Sequence, residues 1–165
     1  MQPDEYQDEP SAMTPLNPSQ IKVLRIRIAL PAMVATLAAF LLDLGPLRET
    51  ILPQLAVPGA VLLLGLLAAL AYPPRRYRSW GYKESEEEIE IRRGRWFRTR
   101  TIVPFGRVQH IDVAQGPIQR PFGLATLILH TAGTHGASVP LPGLLHGEAE
   151  AMRDRIRAKI RQDLV

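Results

Sequence analysis

Five arginines gathered around one glycine are the residues of this sequence best suited to hold a ligand. They fall on both sides of Gly94, at Arg92, Arg93, Arg95, Arg98 and Arg100. A guanidinium group keeps its positive charge and presents paired N–H donors that match the oxygens of a phosphate or carboxylate. Glycine between two arginine-rich stretches also predicts a tight hairpin, because it adopts positive φ without strain. The pattern therefore predicts that a hairpin tip contacts an anionic lipid or a partner.

A structural role for the same arginines stays open. The preceding stretch is rich in glutamate, at Glu84, Glu86, Glu87, Glu88 and Glu90. If the two stretches pair as neighbouring strands, cross-strand Glu–Arg ion pairs would neutralise much of the positive charge. The sequence leaves both alternatives, a binding surface and internally paired charges.

The histidines do not have the spacing of a metal site. They are His110, His130, His135 and His146. We expect His110 and His130 to be cross-strand neighbours, without a cluster of carboxylates or cysteines beside them. The chain contains no cysteine, which excludes disulfides, thiolate catalysis and cysteine-ligated zinc or iron–sulfur sites. We therefore predict no metal site and no cofactor.

The sequence contains no pattern typical of catalysis. It has no phosphate-binding loop, no nucleophile elbow and no paired acid–base carboxylates. Trp96 and Phe97 lie among the arginines, as in proteins that stack nucleic-acid bases, but we expect both rings to be buried. The prediction is a protein that is neither an enzyme nor a nucleic-acid-binding protein.

Two long apolar stretches precede the charged half of the chain. Residues 51–74 contain no charged residue, and residues 28–42 form a shorter apolar run. About 20 apolar residues suffice for a helix to cross the hydrocarbon core. We predict a transmembrane helical hairpin within residues 21–74, with helices at about 26–44 and 51–72. Two buried helices of a soluble protein are the alternative, which is disfavoured because such helices normally keep one polar face.

Basic residues near the ends of these stretches predict the orientation. They cluster on the outer side of both stretches, at Lys22, Arg25, Arg27, Arg75, Arg76, Arg78 and Lys83. The link between the stretches holds only Arg48. Loops rich in lysine and arginine stay in the cytoplasm. We expect a two-span protein of the cytoplasmic membrane with both termini cytoplasmic.

The N-terminal residues are polar and acidic. Residues 1–20 include Asp4, Glu5, Asp8 and Glu9 and no basic residue. Such a composition predicts a disordered acidic tail, because it cannot bury a core, and an acidic protein-binding tail is the alternative. The predicted domains are therefore a tail at 1–20, the transmembrane hairpin at 21–74 and a cytoplasmic domain at 75–165.

From residue 75 onward the pattern changes to short β-strands. In residues 87–93, Ile89 and Ile91 alternate with polar residues, and further β-rich stretches follow at 95–103, 107–115, 124–131 and 137–141. The apolar residues then recur at helical spacing, at Ala149, Met152, Ile156 and Ile160. We predict a mainly-β barrel or sandwich capped by a C-terminal α-helix, after two transmembrane α-helices.

Two motifs in this half resemble the bacterial pleckstrin-homology-like (PH-like) domain family. Residues 102–113, Ile-Val-Pro-Phe-Gly-Arg-Val-Gln-His-Ile-Asp-Val, resemble its Ile-Pro-x-x-Arg-Ile-Gln-x-Val core. Residues 115–125, Gln-Gly-Pro-Ile-Gln-Arg-Pro-Phe-Gly-Leu-Ala, resemble its Gln-x-Pro-x-x-Arg-x-Phe-Gly-Leu signature. Two apolar helices ahead of one such domain resemble the YdbS-like branch. The resemblance covers about residues 75–162 and implies a seven-stranded PH-like barrel capped by a helix, at the cytoplasmic face of the membrane.

The second motif supplies candidate turn residues, namely Gln115, Pro117, Arg120, Phe122 and Gly123. We expect Pro117 and Gly123 to bracket a turn that Phe122 anchors. Arg120 would bond carbonyls of that turn or pair with Asp112, and contact with a ligand is the alternative.

These features favour a membrane-anchored, non-catalytic module that mediates protein interaction at the inner face of the cytoplasmic membrane. The expected partner is another membrane protein, for which the resemblance suggests a relative with several PH-like domains, or a second copy of this chain. Membrane lipid is a further expected contact, and nucleic acid is not. The alternative function is binding of an anionic phospholipid or small ligand through the arginine-rich hairpin.

Overall fold

The structure, a computed structural model, describes residues 13–45, 53–94, 97–132 and 138–162. Two long helices, α1 (Gln20–Leu44) and α2 (Ala56–Tyr77), pack against each other as an antiparallel pair. Both are long and apolar enough to cross a membrane, and only 11% and 17% of their apolar windows are buried inside the protein. A core helix of a soluble protein would be mostly buried, so these outward-facing apolar side chains fit a lipid environment.

The bounds of both helices differ from those predicted. Helix α1 begins at Gln20 rather than at residue 26, and α2 runs from Ala56 to Tyr77 rather than from residue 51 to residue 72. Helical hydrogen bonding continues into the charged residues beside each apolar stretch. Apolar composition therefore predicts the length of the membrane span but not the full length of the helix. The predicted domain boundary at 74–75 therefore lies inside α2, and the second span runs directly into the following domain. Residues 46–52, which include most of the predicted link and the first two residues of the predicted second span, lie outside the described residues.

Small residues let the two spans approach closely. A Cβ added at Gly65 would lie 2.6 Å from the Cβ of Ala32 on the facing helix. Ala39 on α1 and Ala69 on α2 are also buried. Close backbone approach through small side chains is a usual means of packing helices in lipid.

A buried carboxylate joins the far end of the pair. Asp43, near the end of α1, accepts a hydrogen bond from the backbone N–H of Leu55, at 2.9 Å from Oδ2. Leu55 is the residue that precedes α2, so this contact satisfies one of the free N–H groups at the start of that helix.

The described strands form two antiparallel sheets. Their bounds are β1 (Thr14–Pro15), β2 (Gly81–Glu84), β3 (Glu88–Arg93), β4 (Thr99–Pro104), β5 (Val108–Ala114), β6 (Leu124–Thr131) and β7 (Ser138–Leu145). Strands β1–β2–β3–β4 make one sheet, β5–β6–β7 make the other, and helix α3 (His146–Gln162) follows β7. The predicted fold class of two apolar helices, a mainly-β PH-like domain and a C-terminal helix is confirmed.

One part of that prediction is corrected, because the sheets are not closed into a barrel. Among the described strands, no pairing joins the four-stranded sheet to the three-stranded sheet. A 3-10 turn at Phe105–Arg107 separates β4 from β5. Strand β7 forms one edge of the three-stranded sheet. It contains Pro140 and Pro142, which have no N–H to donate to a further strand. The architecture is an open PH-like sandwich.

The core fills the space between the sheets and α3. Its buried residues are Leu16, Ile89, Ile91, Val103, Phe105, Val108, Ala125, Leu127, Leu129, Leu141, Leu144, Ala149, Met152 and Ile156. The predicted inward face of β3 and the predicted apolar face of α3 are both confirmed, with Ile160 partly buried at the end of that face.

The predicted disordered tail is corrected for residues 13–20. Strand β1 pairs with β2, and Leu16 is buried in the core with 3% of its surface exposed. The Tyr77 hydroxyl donates to the Leu16 carbonyl at 2.7 Å, and the Asn17 N–H donates to the Gly143 carbonyl at 2.8 Å. Paired backbone and one buried leucine therefore attach this segment to the domain despite its polar composition. Residues 1–12 lie outside the described residues.

Candidate functional site

A basic cleft lies between the end of α2 and the β3–β4 hairpin. Two adjoining cavities of about 630 and 680 Å³ share Trp80, Arg93 and Thr99 in their walls. Together they are lined by the arginines that we call the arginine cleft, namely Arg75, Arg76, Arg78, Arg92, Arg93, Arg98 and Arg100. Among the described lining residues there is no acidic side chain. The volume of each cavity is large enough for a phosphate-bearing headgroup, and the arginines supply a complementary charge.

Short connections in the chain bring the two walls of the cleft together. Helix α2 ends at Tyr77 and β2 begins at Gly81, so little chain separates the span from the sheet. Gly81 pairs with Arg92 in the antiparallel register of β2 and β3. The end of β3 and the hairpin that follows it must therefore lie beside the end of α2.

The arginines predicted around Gly94 divide into two groups, of which the first is internally paired. Arg100 forms a two-pronged contact with Glu90, with 2.7 Å from Nε to Oε1 and 2.9 Å from Nη2 to Oε2. Arg92 donates from Nε to Oε1 of the same carboxylate at 2.7 Å. Glu90 is buried, with 8% of its surface exposed. The structural alternative of Glu–Arg pairing across strands therefore applies to Arg100 on β4, while Arg92 pairs with Glu90 along β3 itself.

Burial and hydrogen bonding have opposite effects on the pKa of Glu90. Burial raises the pKa of Glu90, but the hydrogen bonds from Arg92 and Arg100 outweigh it and hold the pKa below its ordinary value. Glu90 is thus a carboxylate that binds two guanidinium groups from one side of the hairpin. Its role is to join β3 to β4.

The second group faces the cleft. Among the residues that the structure describes, the side chains of Arg93 and Arg98 make no hydrogen bond or ion pair. Arg98 is exposed and Arg93 is half-buried. Arg95, the remaining predicted arginine, lies outside the described residues together with Trp96. The predicted contact surface is therefore represented by two available guanidinium groups.

Three more arginines of the cleft come from α2 and the residue after it. Arg76 donates from Nη1 to the Tyr72 hydroxyl at 2.7 Å, and Arg75 makes a long contact of 3.4 Å with the Ala71 carbonyl. Arg78 is exposed. The sequence analysis used these three arginines only to predict the membrane orientation and did not predict that they line the cleft. The short link between α2 and β2 is the signal that could have revealed it.

Aromatic side chains line the rim of the cleft. Phe97, at the hairpin, is 89% exposed, which corrects the expectation that its ring is buried. Tyr72 on α2 is 48% exposed, and Trp80 lies between the two walls. Exposed aromatic rings are common where a protein meets the headgroup region of a bilayer.

The two histidines predicted to be cross-strand neighbours lie side by side and share one carboxylate. His110 and His130 face each other across β5 and β6, and Asp112 contacts both, at 2.7 Å from His110 Nε2 and 3.1 Å from His130 Nε2. These partners also replace the proposed pairing of Asp112 with Arg120. Over the described ranges, no group of three or more histidine, aspartate or glutamate side chains has an arrangement that could hold a metal ion.

The family-motif turn is held by its own hydrogen bonds. Gln115 donates from Nε2 to the Leu124 carbonyl at 3.0 Å, and Gly123 has a φ of +62°. Gln119, which was not among the predicted site residues, accepts from the Gly116 N–H and donates to the Thr126 hydroxyl, both at 3.0 Å. The motif therefore acts as a connection between β5 and β6.

The other predicted residues of this turn are on its outer side. Pro117 and Arg120 are exposed and Phe122 is half-buried. Within the described part of the chain, the Arg120 side chain makes no hydrogen bond or ion pair, so it does not bond the carbonyls of the turn. The structure does not bring these residues near the arginine cleft.

Cations on α3 bind the opposite end of the first sheet. Arg155 forms a two-pronged contact with Glu84, at 2.8 and 3.3 Å, and this hydrogen bonding raises the pKa of Arg155. Lys159 donates to the Ser85 carbonyl at 2.8 Å and lies 5.1 Å from the centre of the Phe105 ring. These contacts attach α3 to the β2–β3 turn.

Comparison with known proteins agrees with this architecture. The chain is 42% identical over 101 residues to the UPF0699 transmembrane protein YdbS of Bacillus subtilis (strain 168), a match that covers 61% of this chain and 62% of that protein. The matched part thus spans about three fifths of the length of this relative. No solved structure matches the chain. The family described as Bacterial PH domain matches residues 27–160, which include most of both helices and nearly all of the sandwich, and the chain therefore belongs to the bacterial PH domain family as one of its membrane proteins.

Proposed function

We propose that this protein is a membrane-anchored, non-catalytic PH-like module whose arginine cleft binds the phosphate headgroup of anionic phospholipids at the cytoplasmic face of the membrane. The observation that carries the proposal is the meeting of Arg75, Arg76 and Arg78 with the available guanidinium groups of Arg93 and Arg98. Guanidinium groups bind phosphate oxygens through charge-assisted hydrogen bonds.

The position of the cleft relative to the bilayer supports this ligand. Pro74 is the last residue of the uncharged stretch. At about 1.5 Å per helical residue, the arginines that follow it lie within roughly 6 Å of that point along the axis. Phosphate groups lie just outside the hydrocarbon core, so lipid headgroups would reach the cleft without leaving the bilayer.

The distribution of basic residues supports placing the cleft in the cytoplasm. Lysine and arginine are concentrated beside both outer helix ends, and such segments are retained on the cytoplasmic side. That leaflet is the one rich in anionic lipid. Each arginine close to such a surface contributes about 1 kcal/mol, so several in one cleft give a binding free energy of a few kcal/mol.

The test measures binding of a short-chain phosphatidylglycerol to the full-length protein in neutral detergent by titration calorimetry, with the matching phosphatidylcholine as zwitterionic ligand. The double substitution R93Q/R98Q should weaken phosphatidylglycerol binding about tenfold or more, since two phosphate-binding charges are lost. Raising the salt concentration should weaken binding to the unaltered protein as well.

A matched control separates the cleft from general positive charge. R157Q/R161Q removes the same charge from exposed positions of α3, away from the cleft, and should leave the affinity unchanged. Equal binding by the R93Q/R98Q protein and the control would contradict the proposal, as would equal affinity for the two lipids.

Protein interaction is the second candidate function, and the free edge of β4 favours it. Strand β4 pairs with β3 on one side, and it ends the order of its sheet among the described strands. Ile102 in this strand is 45% exposed. An unpaired edge with an exposed apolar side chain can accept a strand from another protein. We propose another membrane protein with PH-like domains, or a second copy of this chain, as the partner.

A photo-crosslinking amino acid distinguishes this candidate in native membranes. Placed at Ile102, it should give a discrete adduct, whereas placement at the exposed Ala158 on α3 should not. The adduct should persist in the R93Q/R98Q background, because Ile102 does not line the cleft. Equal adducts from both positions would contradict an edge-specific partner.

A further inference from the structure

We infer that the arginine cleft binds a lipid diphosphate, a membrane lipid whose headgroup carries two phosphate groups in series, in preference to a lipid with one phosphate. This inference rests on the proposed function, because it names the ligand class of the same site. The observation behind it is the division of the cleft into two adjoining cavities, each with arginines of its own.

The two cavities have separate sets of arginines and share one more. The first cavity, of about 630 Å³, is lined by Arg75 and Arg76, which do not line the second. The second cavity, of about 680 Å³, is lined by Arg78 and Arg98, which do not line the first. Arg93 lines both. Each cavity therefore offers two guanidinium groups of its own and a contact with Arg93.

The charge of these five arginines is available to a ligand. Arg92 and Arg100 also line the second cavity, but the carboxylate of Glu90 binds both. Among the residues that the structure describes, no carboxylate contacts the other five arginines of the cleft. A single phosphodiester group in one cavity leaves the guanidinium groups of the other without a counter-charge. A second phosphate would supply it through the same charge-assisted hydrogen bonds.

The two cavities lie at successive positions along the end of α2. Tyr72 and Arg75 line the first cavity, whereas Arg78 and Gly81, which come later in the chain, line the second. Arg78 follows Tyr72 by six residues, which is about 9 Å along a helix axis at 1.5 Å per residue. Because α2 leaves the bilayer in this direction, the first cavity is nearer to the hydrocarbon core than the second.

Exposed aromatic side chains agree with this order. Tyr72 is 48% exposed and Phe97 is 89% exposed, and both line the first cavity but not the second. Aromatic rings are enriched at the level of the lipid headgroups. The first cavity is therefore the one that meets the bilayer surface, and the second is surrounded by the domain.

The order of the cavities selects how the two phosphates are linked. A phosphate joined directly to the hydrocarbon part of a lipid stays at the bilayer surface, level with the first cavity. A further phosphate joined to that group projects away from the bilayer, toward the second cavity. Ser79, Trp80 and Thr99 line both cavities, so the two spaces adjoin as linked phosphates require. Two phosphates side by side at one depth do not match this arrangement.

The first test compares two lipids that differ by one phosphate. Dioctanoyl phosphatidic acid and dioctanoylglycerol diphosphate have the same chains, and each is titrated into the full-length protein in neutral detergent by calorimetry. The unaltered protein should bind the diphosphate about tenfold or more tightly than the monophosphate. R78Q/R98Q removes the arginines specific to the second cavity and should reduce this preference to less than about threefold.

Matched variants separate the second cavity from general positive charge. R75Q/R76Q removes the same charge from the first cavity, and it should weaken binding of both lipids while keeping the preference for the diphosphate. R157Q/R161Q, on exposed positions of α3, should change neither affinity. Equal loss of the preference in R75Q/R76Q and R78Q/R98Q would overturn the inference, because charge alone would then explain it.

The second test locates the two phosphates directly. The chain has no cysteine, so a spin label can be placed at Y72C beside the first cavity or at M13C beside the second without background. The two phosphorus atoms of the bound diphosphate give separate resonances in phosphorus NMR. The label at M13C should broaden the terminal phosphorus resonance more, and the label at Y72C should broaden the other more. The same pattern of broadening from both labels would overturn the inference.

Failure of this inference is distinguishable from failure of the proposed function. If neither lipid binds to the unaltered protein, the proposed function fails and the inference fails with it. If both lipids bind with equal affinity and R93Q/R98Q weakens both, the cleft still binds phosphate, and only the preference for two phosphates in series is overturned.

Discussion

Two pairs of arginines beside the same hairpin have opposite environments. Arg92 and Arg100 share the buried carboxylate of Glu90, whereas Arg93 and Arg98 face the arginine cleft without a partner among the described residues. Strand geometry explains the first pair, since Glu90 and Arg92 are two residues apart and successive side chains alternate between faces. The number of arginines in the sequence therefore overstates the charge that is available to a ligand.

The largest effect should come from breaking the paired side of this comparison. Glu90→Gln should lower the free energy of unfolding by about 2–3 kcal/mol, because it leaves two guanidinium groups without their counter-charge in a largely buried site. Arg92 and Arg100 are partly exposed, which keeps the loss below that of a fully buried pair. Thermal unfolding of the detergent-solubilised protein, with Glu86→Gln at the exposed turn as control, measures it. Equal melting temperatures for the two variants would refute a structural role for Glu90.

The same carboxylate should make stability fall in acid. Burial raises the pKa of Glu90, but its two arginine partners lower it by more, to below the ordinary value of 4.5. A depressed pKa contributes stability that is present above the unfolded-state value and is lost as pH falls through the folded-state value. The difference in melting temperature between the unaltered protein and Glu90→Gln should therefore narrow below about pH 4.5. A difference in melting temperature that stayed constant below pH 4.5 would show that titration of Glu90 is not the cause of the acid destabilisation.

The turn that connects the two pairs should be the next most sensitive point. Gly94 has a φ of +103°, and a Cβ there would collide with the Phe97 carbonyl oxygen. Gly94→Ala should cost about 1–2 kcal/mol and weaken phosphatidylglycerol binding, since the hairpin must change shape. Gly147→Ala is the control, because no atom lies within 4 Å of a Cβ at that position. Unchanged unfolding and binding for Gly94→Ala would show that the turn does not shape the cleft.

The contact between α3 and the four-stranded sheet shows how much an exposed ion pair contributes to stability. The Arg155 side chain is 53% exposed while it contacts Glu84. Arg155→Gln should therefore destabilise by only about 0.5 kcal/mol. A double-mutant cycle with Glu84→Gln isolates the pair, and a coupling as large as the effect of Glu90→Gln would contradict the distinction between buried and exposed pairs.

The smallest effect on stability is expected in the cleft itself. R93Q/R98Q should change the free energy of unfolding by less than about 0.5 kcal/mol, because neither side chain has a described partner to lose. The same variant should lose most of its affinity for phosphatidylglycerol. A large loss of stability without loss of binding would contradict the assignment of Arg93 and Arg98 to ligand binding rather than to structure.

Much of the fold was predictable because its signals are local. Uncharged stretches identified both spans, the alternation of Ile89 and Ile91 identified β3, and the helical spacing of Met152 and Ile156 identified α3. Strand β1 was missed, since its two residues include a proline and it exists only through pairing with β2. The open form of the sandwich was also missed, because closure depends on contacts between distant strands.

The candidate site was predictable only in part. The hairpin arginines were identified by their density around Gly94, but their division between Glu90 and the cleft was not. Pairing of Asp112 with Arg120 was one alternative from the sequence, but Asp112 contacts His110 and His130. Such partners depend on strand register, which links residues far apart in the chain.

The sequence by itself determined that two apolar helices enter a membrane and that a β-rich domain with a C-terminal helix follows them, because hydropathy and periodicity are properties of neighbouring residues. Its two motifs added the resemblance to the PH-like family. Only the tertiary structure decided which charges neutralise one another and which remain available. The short connection from α2 to β2 gathers the arginines in one cleft, and the buried Glu90 neutralises two of them while the others remain available. Charge pairing depends on distances in space, and the order of residues along the chain does not fix those distances.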